Sequence, residues 1–202
     1  MNTPPVSRRE IIQYVSALLG GALFTGGTGL LAAAETRERH IGPTVGEFTA
    51  DDIAFLDEIA ETILPATATP GAKAAQTGAF MALMVTDCYR ARDRRVFRDG
   101  MGTVDDTMKA SHQVPFMAAT PAQRLALLTR LDADQKRVMD AREHAASDEP
   151  AHFFRMMKEL ALLGYFTSEI GCTQAMRYVE SPGRFDPCVP YKTGEPAWAA
   201  HA

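Results

Sequence analysis

Apolar residues along the middle of the chain recur at spacings of three and four, not two. Ile53, Leu56, Ile59, Ala60, Ile63 and Leu64 make one helix face, and Thr49-Ala50-Asp51-Asp52 ahead of them reads as a capping box. Pro65 ends that helix, and ATATPGA follows as a turn-rich joint. A second apolar helix is expected from about Ala74 to Tyr89, with Phe80, Leu83, Met84 and Cys88 as core candidates. It passes into Arg90-Ala91-Arg92-Asp93-Arg94-Arg95, a solvated helix face, and Gly100 and Gly102 bracket a break. Thr120-Pro121-Ala122-Gln123 opens another helix, with threonine at the cap, proline at the first position and Leu125, Leu128 and Leu131 facing inward. After the boundary at Glu149-Pro150 comes the most apolar helix, carrying Phe153, Met156, Met157, Leu160, Ala161 and Leu163. Ser168 then caps a last helix reaching Tyr178. No convincing strand alternation occurs, so the fold class is all-α: a compact helical domain with an extended proline-rich tail from about residue 181.

The amino-terminal pattern is different. Ile11 to Ala34 carries no charge, long enough to cross a bilayer, but Gly20, Gly21, Gly26, Gly27 and Gly29 lower its helix propensity and hydrophobic density. Arg8 and Arg9 precede the run, and Ala32-Ala33-Ala34 closes it as a small-residue cleavage site. The order resembles a twin-arginine export signal, which carries folded proteins, so residues 1–34 are expected to be an address and 35–48 a linker into a domain over 49–202. An uncleaved anchor and a chance match inside a soluble helix are the alternatives. The signal implies that the chain either holds a cofactor or escorts a subunit that does, and it implies a periplasmic location.

Without that signal about 170 residues remain, enough for one domain with a sizeable core. The formal net charge of −4 lacks the basic footprint of a nucleic-acid partner. Cys88, inside an apolar pattern, reads as a small buried hydrophobe, whereas Cys188 in Asp-Pro-Cys-Val-Pro is the cysteine expected to leave the core. A bridge from Cys188 to Cys172 and a bridge from Cys188 to a partner both stay open.

Candidate chemistry is sparse. The mature region has no dinucleotide-binding glycine fingerprint and no C-x-x-C-H. His40, His112, His144, His152 and His201 are scattered without metal-ligand spacing. Ser168 reads as a cap, and Asp51-Asp52 and Asp105-Asp106 as helix-start carboxylates favourable to the dipole. No catalytic, cofactor-binding or metal-binding residue is assigned. A surface role suits the GYFTSEIG segment and the tail: Tyr165, Phe166, Ser168, Glu169, Tyr191 and Trp198 are interface candidates, although for Tyr165 and Phe166 the preferred reading is that they finish a core helix.

Three segments carry a family resemblance. They are Phe55-Leu56-Asp57-Glu58-Ile59-Ala60-Glu61-Thr62-Ile63-Leu64-Pro65 with Pro70-Gly71-Ala72, then Gly164-Tyr165-Phe166-Thr167-Ser168-Glu169-Ile170-Gly171, then Ser181-Pro182-Gly183-Arg184-Phe185-Asp186-Pro187-Cys188. Together they resemble the gluconate 2-dehydrogenase subunit 3 family across most of 49–190, with 95–150 matching only as helical filler. The resemblance implies a non-catalytic subunit. Its partner would be a large FAD-dependent flavoprotein of the glucose-methanol-choline type that oxidises sugars, sugar acids or glycosides. It also implies electron transfer to a c-type cytochrome, delivery by the twin-arginine translocase, and association with the membrane through the complex. An independent periplasmic binding or scaffold protein is the alternative reading, and an independent helical enzyme using His112 and His152 a weaker one.

Overall fold

The Thr49 backbone N–H donates to Asp52 Oδ2 at 2.9 Å, and the Asp52 N–H donates back to Thr49 Oγ1 at 3.2 Å. This reciprocal cap starts α1, Ala50–Ile63, and satisfies amide donors that the first turn leaves open. In the computed structural model the described residues are 44–142, 148–181, 183, 188, 190 and 192–199, all within the unit that follows Gly42. Four further α-helices follow: α2 Thr77–Cys88, α3 Ala91–His112, α4 Pro121–Arg142 and α5 Phe153–Phe166. A short 3-10 turn at Phe116–Ala118 precedes α4, and a π-helical turn at Gly171–Ala175 follows α5. Among the described residues the only β pairing is two isolated bridges, Val45 with Phe48 and Arg177 with Trp198. The all-α reading holds, and no described helix is long and apolar enough to cross a membrane.

α5 is the central element and touches α1, α2, α3 and α4. Phe154, Met156, Met157, Leu160, Ala161 and Tyr165 are all buried on it. Phe97 of α3, Phe116 and Phe154 are fully buried, and each such side chain contributes roughly 1.5–3 kcal/mol of transfer free energy. Close approach needs small residues at fixed points. A Cβ on Gly78 would sit 2.5 Å from the Ile53 carbonyl oxygen and 2.6 Å from the Asp57 nitrogen, so α2 crosses α1 almost backbone to backbone. A Cβ on Gly164 would sit 2.6 Å from the Phe80 ring, which fixes how α5 meets α2.

Several expectations change. α3 runs unbroken through Gly100 and Gly102; a Cβ on Gly100 would sit 2.5 Å from the Phe153 ring, so this glycine serves packing between helices. Asp105 and Asp106 therefore lie inside α3, not at a helix start; Asp105 accepts the Phe116 N–H at 2.8 Å and pairs with Lys109. The core face of α2 is Thr77, Gly78, Met81, Ala82 and Val85, whereas Leu83 and Cys88 are exposed and Phe80 and Met84 half-buried. That helix is apolar around most of its circumference, so its period does not select an inner face. Leu125 and Leu163 are exposed as well, with Leu127 and Phe154 among the buried residues instead. Phe48, placed in the linker by its sequence, is buried and meets Phe97 edge-on with centroids 6.2 Å apart.

His152 caps α5. Its Nδ1 accepts the Phe154 N–H at 3.2 Å, its ring stacks on Phe153 at 4.6 Å, and its Nε2 lies 3.5 Å from Asp134 on α4. Burial lowers its pKa below the usual 6.5, against a partial upward pull from Asp134. An imidazole whose Nδ1 must accept a bond is held neutral by the fold. Between the folded value and 6.5 the unfolded chain therefore binds more protons. The stabilisation is complete above pH 6.5 and is lost as pH falls.

Two outcomes follow. Urea unfolding should show stability falling as pH drops below about 6.5, with a flatter dependence in His152→Asn, which keeps a capping acceptor but does not titrate. Gly78→Ala should cost about 1–3 kcal/mol through overpacking, while Gly102→Ala, whose Cβ meets nothing within 4 Å in mid-helix, should stabilise by about 0.5–1 kcal/mol.

Candidate functional site

The family-like motif on α1 and the following joint form one polar cluster. Asp57, Glu58 and Glu61 stand at relative positions 0, 1 and 4, so the helix presents their carboxylates along one edge, toward the segment between Leu64 and Gln76. Glu61 accepts the Ala66 N–H at 3.0 Å and the Lys73 N–H at 2.8 Å, clasping both ends of the joint. Glu58 pairs with the Lys73 ammonium through one oxygen and with the Arg124 guanidinium through the other. Asp57 accepts the Gly78 N–H at 2.6 Å. Its carboxyl is raised above the usual range by burial, with the Gly78 bond and Lys73 pulling it partly back.

Arg124 extends the cluster to α4. Its Nε donates to the Phe116 carbonyl at 3.0 Å and its Nη2 to the Met117 carbonyl at 2.9 Å, so one side chain holds the 3-10 turn against α1. From the other side Tyr165 of α5 donates its hydroxyl to the Pro70 carbonyl at 2.7 Å. The motif residues are thus committed to holding the joint in place.

Tyr165 is accordingly a core residue, only 4% exposed, as the core-helix reading of its sequence had it, and its ring is not a surface contact. Phe166 sits beside it edge-on at 5.1 Å and is 38% exposed. Ser168 is the expected cap, donating to the Tyr165 carbonyl at 2.7 Å and accepting the Gly171 N–H at 3.0 Å. The element it caps is a π-helical turn ending at Ala175, short of Tyr178. Glu169 is exposed, with its carbonyl accepting the Thr173 hydroxyl at 2.7 Å. The structure thus gathers Tyr165, Phe166, Ser168 and Glu169 at the end of α5, but buries the first.

Trp198 lies elsewhere in contact terms. The tail returns so that the Arg177 N–H donates to the Ala197 carbonyl and the Ala199 N–H to the Arg177 carbonyl, both at 2.8 Å. The Arg177 guanidinium lies 4.6 Å from the centre of the Trp198 ring and 3.3 Å from the Glu195 carboxylate. Cys88 and Cys188 are exposed and Cys172 is half-buried, with no disulfide among the described residues, and Cys172 Sγ lies 3.3 Å from the Phe166 carbonyl. Arg8, Arg9 and Tyr191 lie outside the described residues.

Sequence reasoning missed the roles of Glu58, Glu61, Arg124 and Arg177. For the first two a signal was present, acidic residues placed inside an otherwise apolar helix beside a glycine-containing joint. For Arg124 and Arg177 none was, because their partners are distant in sequence. An open cleft of about 370 Å³ lies among Asp51, Asp52, Phe55, Met101, Asp105 and Met117. Its Asp105 is held below the usual carboxylate range: burial opposes this, but the bonds from Lys109 and the Phe116 N–H outweigh it.

Arg124→Ala should cost about 2–4 kcal/mol in urea unfolding, since it takes the donor from one Glu58 oxygen and from two carbonyls. Arg137→Ala on the exposed side of the same helix should stay within about 0.5 kcal/mol. Tyr165→Phe should cost about 0.5–1.5 kcal/mol, the worth of its one hydrogen bond.

Comparison with curated proteins and with solved structures gives no significant match. The family model described as gluconate 2-dehydrogenase subunit 3 matches residues 50–183, from the first residue of α1 past the π-helical turn. The match includes α3 and α4, the stretch that the short motifs left as filler. Covering more than half of the chain and all five helices just described, it shows that the chain belongs to the gluconate 2-dehydrogenase subunit 3 family.

Proposed function

We propose that this chain is the non-catalytic small subunit of a periplasmic FAD-dependent dehydrogenase. In this reading it also escorts the folded flavoprotein through the twin-arginine translocase. The partner is a large glucose-methanol-choline-type flavoprotein that oxidises a sugar, sugar acid or glycoside and passes electrons to a c-type cytochrome. FAD belongs to that partner, and none is assigned to this chain. The observation that carries the reading is the family match over the whole helical domain. It is supported by the way the motif carboxylates are spent on internal bonds instead of on an open site. The arginine pair before an uncharged run supports the export role.

In the native host, the tagged chain should co-purify with a larger flavin-containing protein. Changing Arg8 and Arg9 together to lysine should hold both in the cytoplasm, seen as loss of dehydrogenase activity and of both polypeptides from the periplasmic fraction. A partner that still reached the periplasm would remove the escort role and leave the subunit role. A lone stable monomer with no flavoprotein attached would point instead to an independent binding or scaffold protein.

A further inference from the structure

Most of the family-like stretch Gly164–Gly171 is used by the fold itself. A Cβ on Gly164 would strike the Phe80 ring, and one on Gly171 would collide with the Tyr165 carbonyl. Tyr165 holds Pro70, Thr167 donates its hydroxyl to the Leu163 carbonyl at 2.7 Å, Ser168 caps the π-helical turn and Ile170 packs against the core. Phe166 and Glu169 are what remains, and both are exposed.

Phe166 continues an apolar face that spans two helices. On α5, Glu159, Leu163 and Phe166 stand at i, i+4 and i+7 and share one side of the helix. On α2, Phe80, Leu83, Met84 and Asp87 stand at i, i+3, i+4 and i+7 and do the same. Leu83 is 48% exposed and Leu163 45%, with Phe80 and Met84 half-buried. Gly164 meets Phe80 in the first turn of α2. At the other end the Tyr89 hydroxyl, just past α2, is pushed up by burial and by the nearby Glu159 carboxylate. The two helices therefore run antiparallel, and their apolar sides adjoin.

Carboxylates stand at both ends of this face. Glu159 pairs with Arg155 on its own helix, whereas Asp87 and Glu169 make no ion pair among the described residues. Asp87 lies in the last turn of α2, where a negative charge opposes the helix dipole, so local helix chemistry does not account for it. An apolar strip with unpaired carboxylates at its ends is complementary to an apolar segment with basic residues at its ends. The family is that of a dehydrogenase subunit, so a partner subunit exists to supply one.

We propose that the face formed by Leu83, Leu163 and Phe166 docks an apolar segment of the partner flavoprotein, flanked by Lys or Arg residues that meet Asp87 and Glu169. This deepens the subunit reading above and rests on it.

The test uses the tagged full chain purified from the native host with its flavoprotein. The complex is diluted stepwise, and the flavin retained per tagged chain is measured. Leu83 and Leu163 each have about half of their surface still to bury, worth roughly fivefold in affinity per residue. Leu83→Gln with Leu163→Gln should therefore raise the half-dissociation concentration on the order of 25-fold. Gln is close to Leu in helix propensity, and unchanged helical circular dichroism would verify the fold. Met117→Gln with Leu125→Gln removes two exposed apolar side chains outside this face and should stay within about twofold. Asp87→Lys with Glu169→Lys should weaken the complex about tenfold at low ionic strength and less at high.

Wild-type dissociation in the Leu83/Leu163 variant would overturn the proposal, as would an equal loss in the Met117/Leu125 variant. Charge reversal that left binding unchanged or tighter would overturn the basic occupant. A purified chain that dimerises alone, with the dimer lost in the Leu83/Leu163 variant, would give the face to a second copy and overturn the proposal as well. Failure of the subunit reading shows in the wild type: it would retain no flavoprotein even undiluted, and the proposal would fall with it. Retention by the wild type with unmoved variants overturns the proposal alone.

Discussion

The joint between α1 and α2 has to be pinned before the helices can pack. Residues 64–76 contain no regular element; some of their backbone groups pair within the segment, as Ala72 N–H does with the Leu64 carbonyl, and others take partners from outside it. Glu61 supplies acceptors for Ala66 and Lys73, and Tyr165 supplies a donor for Pro70. Thr77 closes the far end by donating its hydroxyl to the Ala72 carbonyl at 2.8 Å, and Ala72 itself is fully buried. With the joint fixed, Gly78 is delivered to the one place where α2 can touch the α1 backbone. Releasing the clasp would free the register of α2 against both α1 and α5, and through α5 the contacts with α3 and α4. Arg124 ties the same clasp to α4, so a local turn and the global packing share a single ion-pair cluster.

This accounts for the bonds that the residues of the family-like motif make to the joint. A carboxylate that accepts two backbone N–H groups makes charge-assisted bonds, each stronger than a neutral one. A glycine at Gly71 is needed because a Cβ there would collide with the Glu61 carboxylate. Asp57, Glu58, Glu61, Pro70, Gly71 and Tyr165 therefore form one mutually dependent set. Sequence motifs of this kind mark a shape as readily as they mark a reaction.

Much of the fold was legible because helix starts depend on short-range chemistry. Thr49 with Asp52, and Thr120 with Gln123, are three residues apart, and both capping pairs form as their sequences require. Ser168 was legible as a cap for the same reason. What was not legible depended on distant neighbours. Gly100 breaks no helix, and its role depends on Phe153, more than fifty residues away, whose ring a Cβ there would meet. The outer and inner faces of α2 could not be told apart while both were apolar; α1 and α5 made the selection. Cys88 followed the same error and proved exposed. Of the contact residues, Phe166, Glu169 and Trp198 are on the surface, whereas Tyr165 has the same aromatic signature but a hydroxyl that finds a buried carbonyl.

The tail shows how far composition can mislead about order. A proline-rich segment without helical period would be expected to lie free until a partner covers it. Instead residues 195–199 return to Arg177, with two backbone bonds, an ion pair and a cation–π contact at one residue. Ala199 is buried there, while Trp198 keeps one face to solvent. Engaging Trp198 from outside therefore exchanges one set of contacts for another, and its net gain is the difference between them. Reaching Tyr165 would require unseating α5 from the joint, at the expense of the clasp on which the other helices rest. In the fold Trp198 is a displaceable surface contact and Tyr165 a structural pin.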